Sequence, residues 1–220
     1  MRPATKGGAC SLTRCIGDAE PCGAISRLRY NEPTFQYHSA TKLAAWVRVA
    51  GQRMTVSQLR SALQGSRSRL FELIRGLSEE QFRFAPASEQ WTIAVHLAHL
   101  LRVERLFAER AARALTEADP HMSSTGVHND DDPALAQHLA VPQIIHGMQA
   151  ARRDLEQILD TCDGAGLEHA IVHERIGHMT VRQIMTKMAE HEQEHAENIA
   201  QLARQARGAS RVIIPLKPRS

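Results

Sequence analysis

Aromatic residues are scarce in this sequence, at 4% of the chain, so its core must be built from aliphatic side chains and methionine. No stretch approaches the ~20 consecutive apolar residues that a membrane-spanning helix needs. The basic N-terminus also lacks the apolar segment of a signal peptide. Together with ordinary apolar and charged fractions of 43% and 23%, these absences predict a globular cytoplasmic protein without a membrane partner.

Cysteine is sparse as well, and its spacing does not match known metal-binding patterns. The cysteines are Cys10, Cys15, Cys22 and Cys162, and the C-x4-C-x6-C spacing of the first three fits none of the usual zinc motifs. A cytosolic location also disfavours a disulfide framework. We therefore predict free thiols.

A general basic bias is missing from most of the chain. Residues 1–53 hold eight Lys or Arg against three Asp or Glu, whereas the remaining residues hold 19 against 21. Nothing in the basic segment resembles a motif that reads nucleic acid. We therefore expect no nucleic-acid partner.

Residues 1–53 also lack sustained hydrophobic periodicity. They are predicted to form a poorly ordered N-terminal extension, or to reflect a start placed too far upstream, because Met54 directly precedes the first well-patterned helix. Residues 54–208 are predicted to form one domain, and residues 209–220 a C-terminal tail.

Four long amphipathic segments dominate residues 54–208. The first begins at Val56. The second runs from Thr92, its predicted N-cap, to about Leu115, the third from about Pro142 to Thr161, and the fourth begins after Thr180. Thr180 and Gln183 form the strongest helix-start signal, a capping box. The polar stretch 119–133 is predicted to be a loop, and IVHERI a loop or a brief extended piece. Without convincing strands, the pattern predicts an all-α four-helix bundle.

The stretch HEQEH, residues 191–195, satisfies both the H-E-x-x-H signature of zinc proteases and its reversed form. His191 and His195 are one helical turn apart on the inner face, so both can bind one metal ion. An alternative is a pair of hydrogen-bonded core histidines, since two imidazoles buried without partners would cost a few kcal/mol.

The protease interpretation fails on the residues that follow. A metzincin would have Gly and His where this chain has Asn198 and Gln201, and no Asp or Glu follows Glu197. A third ligand must therefore come from upstream. His99 lies on the inward stripe of the second helix, but His96, one turn earlier, can also face inward, and the residue pattern leaves both open.

WTIAVHLAHLLRVER, residues 91–105, and GHMTVRQIMTKMAEHEQEH, residues 177–195, resemble the DinB/YfiT-like superfamily over about residues 55–207. Members share a Trp-Ser/Thr helix start, a His eight residues beyond the Trp and a Glu five further on, matched here by Trp91, Thr92, His99 and Glu104. A Gly followed by a Thr-capped helix carrying H-x-x-x-H is matched by Gly177, Thr180, His191 and His195.

The resemblance implies that His99, His191 and His195 bind a metal ion on adjacent helices of an up-down-down-up bundle. Zinc or nickel is the expected ion, with iron as an alternative, because imidazole suits all three. Family members include metal-dependent transferases that use low-molecular-weight thiols, isomerases and hydrolases. A thiol S-transferase or hydrolase acting on a small molecule is therefore expected, and a homodimer is a further expectation.

Two acidic residues near the histidines are weaker candidates for function. Glu192 is a candidate acid or base because it lies near His195, and Glu104 is expected to contact the helix surface or a metal ligand. For both acids, a solvated helix face is favoured over a catalytic role. Two other classes of function stay open. One is a non-catalytic, stress-related metal-binding bundle, and the other is a protein-interaction module.

Overall fold

The computed structural model describes residues 54–88, 90–122, 131–174 and 177–209. The predictions for residues 1–53, including the thiols of the first three cysteines, and for the C-terminal tail from residue 210 onward lie outside the described residues. Cys162 is a free thiol, as predicted. None of the helices in the described part of the chain is long and apolar enough to cross a membrane.

Four long helices form the body of the protein, as the sequence predicts. In chain order the helices are α1 (Val56–Ile74), α2 (Glu79–Phe82), α3 (Ile93–Thr116), α4 (Asp131–His138), α5 (Val141–Asp160) and α6 (Val181–Ala209), of which α2 and α4 are short. A 3-10 turn at Gly166–Glu168 follows α5. The position of α4 corrects the sequence prediction, which assigned the start of that segment to a polar loop.

Side-chain caps fix where three of the long helices begin. Thr92 accepts a hydrogen bond from the backbone N–H of Val95. The backbone N–H of Thr180 donates to the Gln183 side chain at 2.8 Å, and the Gln183 N–H donates back to the Thr180 hydroxyl at 3.2 Å. Thr55 forms a capping box of the same kind at the start of α1. Both caps predicted from the sequence are therefore confirmed, and each satisfies N–H groups that a helix start leaves without partners.

The long helices pack around one aliphatic core. α1 packs mainly on α6, α3 packs on both α5 and α6, and α1 meets α5 only slightly, so the order around the bundle is α1, α5, α3, α6. The largest fully buried side chains are aliphatic or methionine, as the scarcity of aromatics predicts: Leu59, Leu63, Leu70, Ile93, Leu97, Leu100, Leu101, Ile144, Met148, Leu155, Leu159 and Leu167. The predicted four-helix bundle is confirmed.

A small sheet lies at one end of the bundle. Its middle strand overlaps IVHERI, where a loop or a brief extended piece was predicted, and its other two strands were not predicted. It contains β1 (His121–Met122), β2 (Ala170–His173) and β3 (Gly177–Thr180), with β2 in the middle, parallel to β1 and antiparallel to β3. β1 follows α3 and β3 leads directly into α6. The sheet therefore connects the C-terminal end of α3 to the N-terminal end of α6, the two helices that carry the candidate metal ligands.

Candidate metal centre

The three histidines singled out from the sequence lie together in the structure. His99 is on α3, and His191 and His195 are one turn apart on α6. Each is 5% exposed, so the inward orientation expected from the helix periodicity is correct. They form the one group of three or more His, Cys, Asp or Glu found in the described residues whose candidate ligand atoms all lie within 4.8 Å of one another.

The three rings approach each other through the same atom. Nε2 of His191 lies 3.3 Å from Nε2 of His99 and 3.1 Å from Nε2 of His195. Two nitrogens bound tetrahedrally to one zinc at its usual Zn–N distance lie about 3.3 Å apart. The rings are thus already spaced as ligands of one tetrahedral ion would be, and the residues present fit a metal ion.

His96 lies beside this group rather than inside it. Nδ1 of His96 is 2.8 Å from Nδ1 of His195. The other nitrogen of the His195 ring, Nε2, is the one that faces His191. His96 is 7% exposed. Of the two histidines that the residue pattern left open, His99 belongs to the converging group, and His96 is hydrogen-bonded to one of its members.

Asp132 on α4 contacts the opposite edge of the His99 ring. Its Oδ2 lies 2.7 Å from Nδ1 of His99, and Arg102 donates from Nε to Oδ1 at 2.6 Å and from Nη2 to Oδ2 at 2.8 Å. Burial alone would raise the pKa of Asp132, but the hydrogen bonds and charges of Arg102 and His99 hold it below its usual value. Sequence analysis missed Asp132, because it lies in the stretch assigned to a loop. The run of acidic residues before Pro133 was the available signal.

Burial keeps three histidines at the site, His96, His191 and His195, uncharged by lowering their pKa values. Burial, followed by the charge of the nearby His99, lowers the pKa of His191 to about 3. Burial and the same neighbour lower the pKa of His96 to about 3. Burial, followed by the other histidines, moves the pKa of His195 far below its ordinary range. Neutral imidazole is the form that binds metal, so neither His191 nor His195 has to lose a proton at neutral pH.

A tryptophan forms one wall of the group. The half-buried Trp91 ring lies 5.2 Å from the His99 ring, 5.3 Å from His96 and, nearly parallel, 6.3 Å from His195, measured between centroids. Trp91 directly precedes Thr92, the cap of α3, so the helix start itself places the indole against the imidazoles. The site therefore has one apolar, aromatic side.

The two acids named from the sequence are not on a solvated face. Glu104 and Glu192 are both fully buried, which corrects the expectation of a solvated surface. Arg67 donates to both, through Nε to Glu192 at 2.6 Å and through Nη2 to Glu104, and Arg152 also bonds both. Ser66 donates to Glu192 as well. These five residues, here called the core ion cluster, come from all four long helices.

A four-helix bundle that brings three buried imidazoles together on two adjacent helices defines an α-helical protein with a candidate metal centre. The sequence matches the profile of the DinB superfamily over residues 62–199. The chain belongs to the DinB superfamily, as its resemblance implied. A comparison with curated proteins gives no match.

Two solved structures are similar to this one in fold. YfiT from Bacillus subtilis, described as a probable metal-dependent hydrolase with an unusual four-helix bundle topology, is 15% identical, with a TM-score of 0.57 over 86% of this chain and 94% of YfiT. A protein from Streptococcus pneumoniae is 10% identical, with a TM-score of 0.50 over 73% of this chain and 93% of that protein. At these identities the likeness shows a shared fold alone.

Proposed function

We propose that this protein is a metal-dependent enzyme that binds one divalent ion through Nε2 of His99, His191 and His195. The observation that carries the proposal is the short distance from Nε2 of His191 to the other two nitrogens, 3.1 Å to His195 and 3.3 Å to His99. Without an ion, a nitrogen in this group has a partner only where a neighbouring ring donates an N–H to it. One ion would give all three lone pairs a partner at once.

A three-histidine site suits catalysis better than a purely structural role. Structural zinc is normally closed by four protein ligands, whereas three ligands and an open position are typical of catalytic zinc. An ion held by neutral ligands keeps its full charge and lowers the pKa of a water or thiol bound at the open position. Imidazole suits zinc, nickel and iron, with zinc or nickel preferred here.

The reaction class that we propose is transfer of a low-molecular-weight thiol to an electrophile, with hydrolysis as the second candidate. Hydrolysis is supported by the likeness to YfiT, itself described as a probable metal-dependent hydrolase. In either case the substrate is a small molecule, and Trp91 offers it an apolar surface beside the imidazoles. A homodimer and a cytoplasmic location stay predictions.

Glu192 receives no catalytic role in this proposal, although it lies between His191 and His195 in the sequence and was a candidate acid or base. Its two oxygens accept hydrogen bonds from Arg67, Arg152 and Ser66 inside the core ion cluster. A general base must reach the proton that it abstracts. A fully buried carboxylate held by two guanidinium groups is arranged for structure instead.

The proposal is tested by metal analysis followed by activity assays. We expect the full-length protein to be purified with one equivalent of a divalent metal. It should also conjugate a small thiol to a generic electrophile such as 1-chloro-2,4-dinitrobenzene, or cleave an activated ester. Both properties should be lost in His99→Ala and kept in His146→Ala, an exposed histidine on α5. Bound metal without turnover would instead support a non-catalytic bundle, and absence of metal would support the interaction module.

A further inference from the structure

The contact between His99 and Asp132 carries information about the proton on the histidine ring. Asp132 is fully buried and receives both Nε and Nη2 of Arg102, the two-bond arrangement typical of a guanidinium with an ionised carboxylate. An ionised carboxylate can only accept hydrogen bonds. Because its Oδ2 lies 2.7 Å from Nδ1 of His99, that nitrogen must carry a proton and donate it.

A proton on Nδ1 leaves the other ring nitrogen of His99 with a free lone pair. That nitrogen, Nε2, is the atom that lies 3.3 Å from Nε2 of His191, within the converging group. In the alternative tautomer, Nε2–H would point into the group and could not bind an ion. The hydrogen bond to Asp132 thus selects the one neutral form of His99 that can act as a ligand.

The helix that carries Asp132 is itself held in place. Near its C-terminal end, the guanidinium of Arg83 donates from Nη1 to the carbonyl of Ala136 at 2.7 Å and from Nη2 to that of Leu139 at 3.2 Å. Such bonds satisfy carbonyls that the end of a helix leaves open. α4 also packs on α3, which carries both His99 and Arg102. Contacts at both ends therefore fix the position of the Asp132 carboxylate.

We propose that Asp132 is a positioning residue for metal binding: it sets the tautomer and orientation of His99, while Arg102 holds it in place. This inference rests on the proposed function, because it assigns a role toward the same ion. Partners of this kind typically change metal affinity by 10- to 100-fold when removed. Asp132 itself does not contact the ion, so its loss should weaken binding without changing the number of ions bound.

The test uses the full-length chain with Asp132→Ala, Asp132→Asn and a matched control, Glu117→Ala. Glu117 forms the same two-bond arrangement with Arg113, at 2.8 and 2.8 Å, but it is exposed. It follows the last residue of α3, about 27 Å along the helix from His99 at ~1.5 Å per residue. The control therefore removes an equivalent arginine–carboxylate pair at a distance from the site.

Zinc affinity is measured by competition with a chromophoric chelator, and ligand geometry by the visible absorption of the cobalt-substituted protein. We expect Asp132→Ala to weaken zinc binding 10- to 100-fold at unchanged stoichiometry and to alter the cobalt spectrum. Asp132→Asn, which keeps an oxygen but loses the charge, should lie in between, and Glu117→Ala should match the wild type. Equal affinity in the wild type and Asp132→Ala would overturn the inference. A wild type without zinc affinity would refute the proposed function instead.

A second measurement needs no metal. The ¹⁵N chemical shifts of the His99 ring in the chelator-treated protein report which nitrogen carries the proton. We expect Nδ1–H in the wild type and a shift toward Nε2–H, the more stable form of an isolated histidine, in Asp132→Ala. If wild-type His99 carries its proton on Nε2, the role assigned to Asp132 is wrong, whatever the zinc affinity.

Discussion

Glu192 and Arg67 join α6 to α1 by a hydrogen bond of 2.6 Å, next in sequence to the candidate ligand His191. The Glu192 side chain is fully buried and that of Arg67 is 8% exposed. This contact and those to Arg152 and Ser66 place a buried charged group among the four long helices. Glu192 was a catalytic candidate from the sequence, whereas these contacts indicate a structural role, and an experiment can distinguish the two.

Removing the Glu192 carboxylate should destabilise the fold strongly. We expect Glu192→Ala to lower the free energy of unfolding by about 3–5 kcal/mol, because it leaves two buried guanidinium groups without this partner. Urea denaturation in the presence of a chelator measures the change without interference from bound metal. Glu194→Ala, an exposed neighbour that lies 3.9 Å from Lys187, should change stability by about 0.5 kcal/mol or less. Unchanged stability of Glu192→Gln together with lost turnover would instead identify a catalytic carboxylate.

Each of the three converging histidines should be essential for metal binding. We expect His99→Ala, His191→Ala and His195→Ala each to weaken metal binding far more than ~100-fold, because each leaves only two ligands. Removal of a ligand's hydrogen-bond partner weakens binding by about 10- to 100-fold. Equilibrium dialysis with metal analysis checks the result. His146→Ala, at an exposed position on α5, is the control and should bind normally. Full occupancy in all three variants would end the proposal of a metal site.

His96 should affect metal affinity without being a ligand. If Nε2 of His195 binds the ion, its Nδ1 carries a proton and donates it to Nδ1 of His96, 2.8 Å away. We expect His96→Ala to keep one ion per chain but to bind it about 10- to 100-fold more weakly. His96→Asn, whose side-chain carbonyl can accept the same proton, should recover part of the loss. Complete loss of metal in His96→Ala, together with intact binding in His99→Ala, would make His96 the ligand in place of His99.

The metal-free protein should become less stable in mild acid. The pKa of His96 and that of His191 are lowered to about 3 by burial, whereas an unfolded histidine titrates near 6.5. Below pH 6.5 the unfolded state therefore binds protons that the folded state does not, so stability is full above this pH and falls as the pH drops toward 3. Between pH 7.5 and pH 5 the loss is about 2 kcal/mol for each such histidine.

This pH dependence can be measured by urea denaturation at several pH values with a chelator present. His96→Leu replaces one titrating ring with an apolar side chain of similar size, so its stability should fall about 2 kcal/mol less over the same range. If the free energy of unfolding of His96→Leu changes with pH as steeply as that of the wild type, His96 is not held neutral in the folded state.

The domain boundary stays a prediction as well. We expect a chain that begins at Met54 to fold with an unchanged melting temperature and metal content, because residues 1–53 lack sustained hydrophobic periodicity. Thermal unfolding followed by circular dichroism, with metal analysis of the same samples, checks this. A large loss of stability would show that residues before Met54 belong to the core.

Periodicity and capping predicted the bundle well because both signals are local. Thr180 and Gln183 are three residues apart, and His191 and His195 four, so a single helix determines their relation. Apart from the extended piece predicted at IVHERI, which overlaps β2, the small sheet was missed because its strands are two to four residues long and β1 pairs with a strand about fifty residues away. Neither length nor alternation marks such strands in a sequence.

The charged partners inside the bundle were harder to predict, for a different reason. Arg67 and Glu192 each follow an inward-facing position by one residue, where a long charged side chain can either reach solvent or turn inward. The orientation depends on whether an opposite charge lies on another helix. The partners are 125 residues apart for Arg67 and Glu192, and 37 for Arg67 and Glu104. The contact of Asp132 with His99, 33 residues apart, is non-local in the same way.

The core ion cluster also bears on how the helices are aligned along their axes. Leucine-rich faces pack acceptably in more than one alignment, since one leucine can take the place of another a turn away. A shift of α1 by one turn would move Arg67 about 5.4 Å from its carboxylate partners and leave opposite charges separated in an apolar interior. We therefore expect the cluster to exclude shifted packings of the four helices, and so to hold α3 and α6 at the one axial offset where their histidines meet.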